Sequence, residues 1–392
     1  MRHAEGRCFV AVRTIYFDYN ATTPLDPGVR EEMLPFLGGV FGNPSSVHHV
    51  GRRARALLDD ARDRVASLWR AKPSEVVFTS GGTESNNLAV FGVARLLRDK
   101  GRHLITSAIE HHAVLHCFQY LERKEGFAVT YLPVNGEGIV DPDDLRKAIR
   151  ADTTLVSIMS ANNETGSIQP VAALGEICRS TGVIFHTDAV QSFGKQPFED
   201  IHQFNADLVS VCAHKFHGPK GAGALFIKSP LHPDPISFGG GHENERRAGT
   251  ENVPGIMGLA AALDRFVKTP VFTAEKLSPM TNRLVQFIKG LDGATFRGSL
   301  RERLCNTLAF TVEGCDSITM LAGLDMEGIC SSSGSACSAG SLEPSHVMSA
   351  MGVDRKSANA LVRFSLGRDS TMEEVEIVEG VLKNVINRAL SR

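Results

Sequence analysis

Ser74-Glu75-Val76-Val77-Phe78-Thr79-Ser80-Gly81-Gly82-Thr83-Glu84-Ser85-Asn86 is the stretch on which the fold turns. Glu75–Thr79 is a short apolar run with β-branched residues, the pattern of a buried strand. Gly81 and Gly82 then allow a tight turn, and a helical pattern follows over Thr83–Arg98. The same unit recurs along the chain. His103–Thr106, Phe127–Leu132, Thr154–Met159, Val183–His186, Leu208–Val211 and Ala224–Ile227 read as further buried strands. Ala113–Lys124, Asp141–Arg150 and Val171–Ser180 read as helices among them, the second opening with Asp141 as cap and Pro142 at the first helical position. Strand–helix alternation of this kind predicts an α/β fold, a mainly parallel seven-stranded sheet sandwiched by helices.

After Pro254 the texture changes. A helix-rich stretch runs to about residue 290, and strand-like runs at Thr307–Val312 and Leu361–Leu366 are separated and followed by helices. This predicts a large domain over 14–264 and a smaller α+β C-terminal domain over 265–392, with the N-terminal segment packing against the smaller one. A length of 392 residues suits such a division, since domains run to roughly 150 residues each. Hydrophobic residues at 42% and charged residues at 22% exclude collagen, coiled coil and wholesale disorder. Forty-two basic against 44 acidic side chains leave −2 with no charge block, which argues against a nucleic-acid partner. No apolar run approaches the ~18 residues of a membrane span, so no membrane association is expected. The N-terminal residues lack the apolar core of a secretory signal. Eight cysteines without a C-x-x-C pair resemble neither a disulfide framework nor a zinc knuckle. A cytoplasmic protein is expected.

In an open parallel sheet, ligands sit beyond the carboxyl ends of the strands, and polar residues cluster there. Gly81-Gly82-Thr83 opens a helix whose free N–H groups suit a phosphate, although Thr83 alone would read as a helix cap. No Walker lysine motif or dinucleotide glycine pattern is present, so the phosphate is not a nucleotide's. Glu110-His111-His112 follows the second strand; a histidine there could stack on a ring and move protons, or be an ordinary loop residue. Asn162-Asn163-Glu164-Thr165-Gly166 offers amide donors or a turn. Asp188, at the end of Val183–His186 and its continuation, is either a cap or the carboxylate that pyridoxal phosphate needs against its protonated ring nitrogen. Lys215, in Ala213-His214-Lys215-Phe216-His217-Gly218, is a candidate imine-forming amine because desolvation lowers a lysine's pKa. A metal set of His186, Asp188, His214 and His217 competes with this reading, but no pair has H-E-x-x-H spacing and no metal ligand is assigned. Cys337 lies in Ser331–Ser341, among small, flexible residues, where a thiol can ionise and react. Arg363 within Leu361–Leu366 either pairs with an acid or clamps a carboxylate.

These residues bring a family into view. The sequence resembles cysteine desulfurases of the class V aminotransferase superfamily, of the nitrogen-fixation and iron–sulfur-cluster type. The matching motifs are Asp18–Pro24, Phe41–Ser46, Thr79–Asn86, Asn162–Gly166, His186–Ser192, Ala213–Gly221, Arg247–Asn252, Gly334–Pro344 and Arg363–Arg368, in family order and across nearly the whole chain. The resemblance implies a pyridoxal-phosphate fold type I enzyme that converts L-cysteine to L-alanine and transfers the sulfur to its own cysteine as a persulfide. Lys215 would bind pyridoxal 5'-phosphate as an imine, Asp188 would pair with the ring nitrogen, and His111 would stack on the ring. Gln191 and Asn163 would bond the ring hydroxyl oxygen, Asn163 also lying near the substrate. Gly82, Thr83 and His214 would hold the phosphate, joined by Thr250 from the second subunit of a homodimer with shared active sites. Arg363 would bind the substrate carboxylate and Cys337 would accept the sulfur, passing it to an iron–sulfur scaffold or another acceptor protein. One departure is visible: Cys212 stands where a serine hydroxyl is expected on the phosphate, and a thiol is the poorer donor. A selenocysteine lyase or an aminotransferase, a non-catalytic assembly scaffold and a metal-dependent hydrolase are the rival readings.

Overall fold

The computed structural model describes residues 14–334 and 344–390. The chain enters through β1 (Ile15–Tyr16), then α1 (Pro27–Met33) and the long α2 (His49–Trp69). The main sheet is built from β2 (Val76–Thr79), β3 (His103–Ser107), β4 (Ala128–Leu132), β5 (Thr153–Ser157), β6 (Ile184–Asp188), β7 (Leu208–Cys212) and β8 (Gly223–Ile227). Its order is β2-β8-β7-β6-β5-β3-β4, with β8 antiparallel to both neighbours and the remaining pairs parallel. All seven runs that read as strands are strands of this one sheet. Apart from the edge strand β4, the strands are buried on both faces, as expected where helices cover a parallel sheet.

The crossovers are α3 (Gly82–Leu96), α4 (His112–Glu125), α5 (Pro142–Ala148) and α6 (Val171–Thr181). Asp141 caps α5 by accepting from the Asp143 amide, and Pro142 holds its first position, as the sequence suggests. The start of α3 differs from expectation. Thr83 is not its cap; the helix begins at Gly82, and the cap position is Gly81 at φ 152°, with no side-chain bond to the end amides. Only glycine adopts that backbone readily, so the amides at this end stay available to a ligand.

Neither α2 nor its packing is anticipated by the strand-led reading. Its Leu58, Ala61, Val65 and Trp69 recur at helical spacing and enter the core that also holds Phe193 and Phe226. The same core takes in α7 (Val253–Phe266), whereas α8 (Ala274–Lys289) belongs to a second core. That second core covers an antiparallel sheet of β9 (Ala294–Arg297), β10 (Thr307–Val312) and, after α9 (Ser317–Met326) and β11 (Ile329–Cys330), β12 (Leu361–Ser365). The short α10 (His346–Ala350) and α11 (Arg355–Ala358) precede β12, and α12 (Met372–Leu390) closes the chain. β1 pairs in parallel with β11, and Ile15, Phe17 and Tyr19 pack in the second core. The N-terminal segment therefore runs along the junction of the two cores. Among the described residues no helix is long and apolar enough to cross a membrane.

Trp69, the single tryptophan, is fully buried with edge contacts to Phe226 and a tilted contact to Phe193. Trp69→Ala leaves a large cavity beneath the sheet and is expected to lower stability by about 3–5 kcal/mol, read by urea unfolding followed by circular dichroism.

Candidate active site

Five strand ends converge on one cleft. Asn20, Ala21, Gly82, Thr83, Asn86, His111, Asn163, Asp188, Gln191, Cys212, His214, Lys215 and Arg363 line it, and its volume, open mouth included, is about 810 Å³. Every candidate that the sequence places on a strand's carboxyl end reaches this space. One does not join them. Thr250 is exposed and lines a separate groove with Asn43, Ser45 and Arg62. Cys337 lies outside the described residues. The chain on either side of that segment is anchored beside the cleft: the Arg363 amide donates to the Ser332 carbonyl at 2.6 Å, and the Ser345 hydroxyl donates to Glu164 at 2.5 Å.

Lys215 sits in a single 3₁₀ turn directly after β7. Its Nζ donates to the Asn20 and Ala21 carbonyls at 2.7 and 2.9 Å, both neutral acceptors. Burial, reinforced by the nearby Arg363 guanidinium, brings its pKa down to about 8, so a useful fraction is free amine near neutrality. Asp188, at the end of β6, accepts from the Asn86 amide at 2.6 Å and the Val190 backbone at 3.0 Å. Burial pushes its carboxyl up against these stabilising donors and Lys215. A carboxylate so placed, with only neutral donors bonded to it, is matched by a protonated ring nitrogen.

His111 caps α4: its Nδ1 accepts from the Ala113 amide at 3.1 Å, which leaves the ring proton on Nε2. Burial, and then the charge of Lys215, lowers its pKa to about 4, consistent with a neutral imidazole. His214 is likewise brought to about 4 by burial and by Lys215 and Lys220, with Nδ1 3.1 Å from the Thr22 hydroxyl. Gln191 donates Nε2 to the Asn20 carbonyl at 3.1 Å. Cys212 directs its thiol to the Ala222 carbonyl at 3.9 Å, and burial raises its pKa, so it stays a thiol.

The start of α3 is shaped by what is missing. A Cβ on Gly82 would lie 2.7 Å from Val190 Cγ2, and the Gly81–Gly82 backbone passes close under the Cys212 side chain. With the uncapped amides of α3 this makes a backbone cradle for an anion that needs little from the Cys212 thiol. Arg363 pairs with an acid, the first of the two readings made of it. It is 1% exposed, pairs with Asp18 at 2.6 Å, and donates to the Asn163 carbonyl at 2.9 Å, while its Nε has no partner among the described residues. The metal alternative finds no grouping: among the described residues no three His, Cys, Asp or Glu side chains are arranged to hold an ion. His186 instead bridges the Ser157 and Ser210 hydroxyls, and burial brings it to about 3.

The aminotransferase class-V family matches residues 15–378. The chain belongs to that family. Its relatives include the cysteine desulfurase IscS of Dictyoglomus turgidum, 46% identical over 96% of this chain and 95% of that protein. The mouse cysteine desulfurase is 43% identical over 95% of this chain and 81% of its own length. Among solved structures, a NifS-like protein superposes with a TM-score of 0.88 at 38% identity, covering 96% of this chain and all of that one. The apo cysteine desulfurase of Thermococcus onnurineus NA1 gives 0.83 at 28% identity, over 96% of this chain and 95% of the other. Enzymes of this family use pyridoxal phosphate, and the cleft fits it: an amine, a buried carboxylate and an amide cradle face one space.

Sequence reasoning assigned no role to three residues that build the site. Asn86, four residues into α3, holds Asp188; Asn20 receives Lys215; Lys195 bonds Gln191 at 2.5 Å. Asn20 and Asn86 lie inside matched motifs, so position was available as a signal and contact was not. Because the free amine of Lys215 is the attacking species, cofactor-free protein is expected to gain visible absorbance from added pyridoxal phosphate about tenfold faster at pH 7 than at pH 6. The rate should level off above about 8. A rate still climbing through pH 10, measured by stopped-flow absorbance, would show an ordinary lysine.

Proposed function

We propose that this chain is a pyridoxal-phosphate-dependent cysteine desulfurase, converting L-cysteine to L-alanine and passing the sulfur through Cys337 to an acceptor of iron–sulfur cluster assembly. The observation that carries the reading is Lys215, an amine of lowered pKa set between the Asp188 carboxylate, His111 and Arg363 in one cleft. When bound, pyridoxal phosphate supplies an electron sink for the negative charge that forms at the substrate's Cα. Asp188 holds the proton on the ring nitrogen that makes the sink effective. Gly82, Thr83 and His214 fix the phosphate, and Asn163 and Gln191 hold the ring oxygen. Arg363 takes the substrate carboxylate, its Asp18 partner fixing the guanidinium plane.

Lys215, as a free amine, would carry a proton away from the substrate's Cα. His111 presents its Nε2 proton to the cleft and serves proton transfer at the substrate sulfur. The Cys337 thiolate attacks that sulfur: a sulfur–sulfur bond forms, the Cβ–sulfur bond breaks, and its electron pair is taken up toward Cβ, which is then protonated to give alanine. A soft thiolate is the nucleophile suited to this step.

The reading includes a homodimer in which each copy completes the other's site. Phe41, Val47 and Phe238 are 80%, 86% and 85% exposed, more than single surface apolar residues explain when they flank one region. The Ser45 hydroxyl meets the His242 ring at 3.4 Å, so the segments carrying these residues adjoin, and Thr250 lines the groove between them. A second copy on this face would bring Thr250 toward its neighbour's phosphate cradle. The division into a cofactor domain over 14–264 and a smaller domain over 265–392 is supported by a core within each, with Ile15, Phe17 and Tyr19 in the smaller domain's core and a small cluster around Ile109, Met159 and Val347 joining the two. A cytoplasmic setting is supported by free thiols at Cys117, Cys178, Cys212, Cys305, Cys315 and Cys330.

Treating the cofactor-loaded protein with L-cysteine is expected to yield alanine and a Cys337 peptide heavier by one sulfur atom. Cys337→Ser should keep the cofactor's visible absorbance and form no persulfide; alanine and sulfide at the unaltered rate would reject the role of Cys337. Phe41→Asp places a charge in the proposed dimer face and is expected to shift the molecular mass by light scattering from two chains to one. A single-chain mass for the unaltered protein would remove the shared-site reading.

A further inference from the structure

Lys195 is 4% exposed, does not line the cleft, and takes no part in the chemistry above. Its Nζ donates to Gln191 Oε1 at 2.5 Å and to Asn20 Oδ1 at 2.6 Å, and lies 5.3 Å from the centre of the Phe272 ring. Among the described residues no carboxylate pairs with it. A buried amine without an acid is costly unless its hydrogen bonds serve a purpose. Burial drives its pKa well below the ordinary lysine range, and the neighbouring Lys215 and Arg363 push the same way. The group is thus kept for its N–H donors, and both acceptors belong to the cleft's wall.

The consequence falls on Gln191. Its amide could in principle sit either way round, since oxygen and nitrogen differ little in size. Here Nε2 donates to the Asn20 carbonyl, which also receives Lys215. Turning the amide over would set Oε1 against that carbonyl and Nε2 against the Lys195 donors. The network therefore favours one orientation, and it leaves the second Nε2 hydrogen as the amide's remaining donor.

We propose that Lys195 is a positioning residue that locks the Gln191 amide so that a donor, rather than an acceptor, faces the ring oxygen of the bound cofactor. The inference rests on the reading of the cleft as a pyridoxal phosphate site. A donor to that oxygen stabilises its anion and so lowers the pH at which the bound cofactor's visible absorption changes. Without Lys195 only the Asn20 carbonyl orients the amide, the turned-over arrangement is populated more, and an acceptor set against an anionic oxygen raises that pH.

The test is a spectral pH titration of the cofactor-loaded protein. In Lys195→Met the midpoint is expected to rise by about one unit, the size of a lost hydrogen bond to a charged group. In a Gln191→Leu background the same change should add nothing, because the effect passes through Gln191. Loss of thermal stability with an unmoved midpoint would mean Lys195 only supports the fold, and would overturn the proposal. If Lys195→Met does not accumulate as folded protein, Gln191→Glu replaces it. Its carboxylate keeps the bond to Lys195 and offers no N–H, so the midpoint must still rise, and an unmoved midpoint again overturns the proposal. Wild-type protein that gains no visible band from pyridoxal phosphate would instead defeat the reading of the cleft itself.

Discussion

The cleft depends on Asn20 being hydrogen-bonded from every side. Its amide donates to the Asn163 carbonyl at 3.2 Å and the Thr307 hydroxyl at 2.8 Å, and its Oδ1 receives Asn306 at 3.1 Å as well as Lys195. Its backbone donates to the Ser365 hydroxyl at 3.0 Å and accepts from Lys215 and Gln191. One residue of the N-terminal segment thereby ties the ends of the large sheet to the three-stranded sheet. A buried asparagine can be fully satisfied only if all these partners are in place. The position of Lys215 is thus coupled to the docking of the two cores.

Around this hub, burial does most of the electrostatic work. It keeps His111 and His214 neutral, raises Asp188, and lowers Lys215 to about 8. A cleft in which charges are disfavoured until a ligand brings their partners is prepared for a ligand carrying both a phosphate and a basic ring nitrogen. The Arg363–Asp18 pair is the exception, a charge already matched at 2.6 Å. It holds the guanidinium beside the Asn163 carbonyl while its Nε remains without a partner among the described residues.

Much of the fold was legible because strands buried on both faces are continuous apolar runs. Val76–Thr79 through Gly223–Ile227 announce themselves in this way. Two features were not. The antiparallel direction of β8 follows from how the short loop after Lys215 returns, which no periodicity records. The long α2 reads as a charged stretch, since half of its buried residues, Gly51, Ala54, Ala61 and Ala66, are small. At the site, residues with a chemistry of their own (lysine, aspartate, histidine at a strand end) were legible. Asn20, Asn86 and Lys195 were not, because an amide or an extra lysine takes its meaning only from what it touches.

The amino-acid sequence by itself determined the strand–helix succession, the glycines that open α3 and the titratable side chains at strand ends, because local patterning and residue chemistry are properties of neighbours along the chain. The tertiary structure decided which ends meet, that Thr250 lies away from the cleft of its own chain, and which way the Gln191 amide faces. Those depend on groups as much as 345 residues apart, such as Asn20 and Ser365, and on the loss of water around them. Distance in space and dielectric are not written in any single segment.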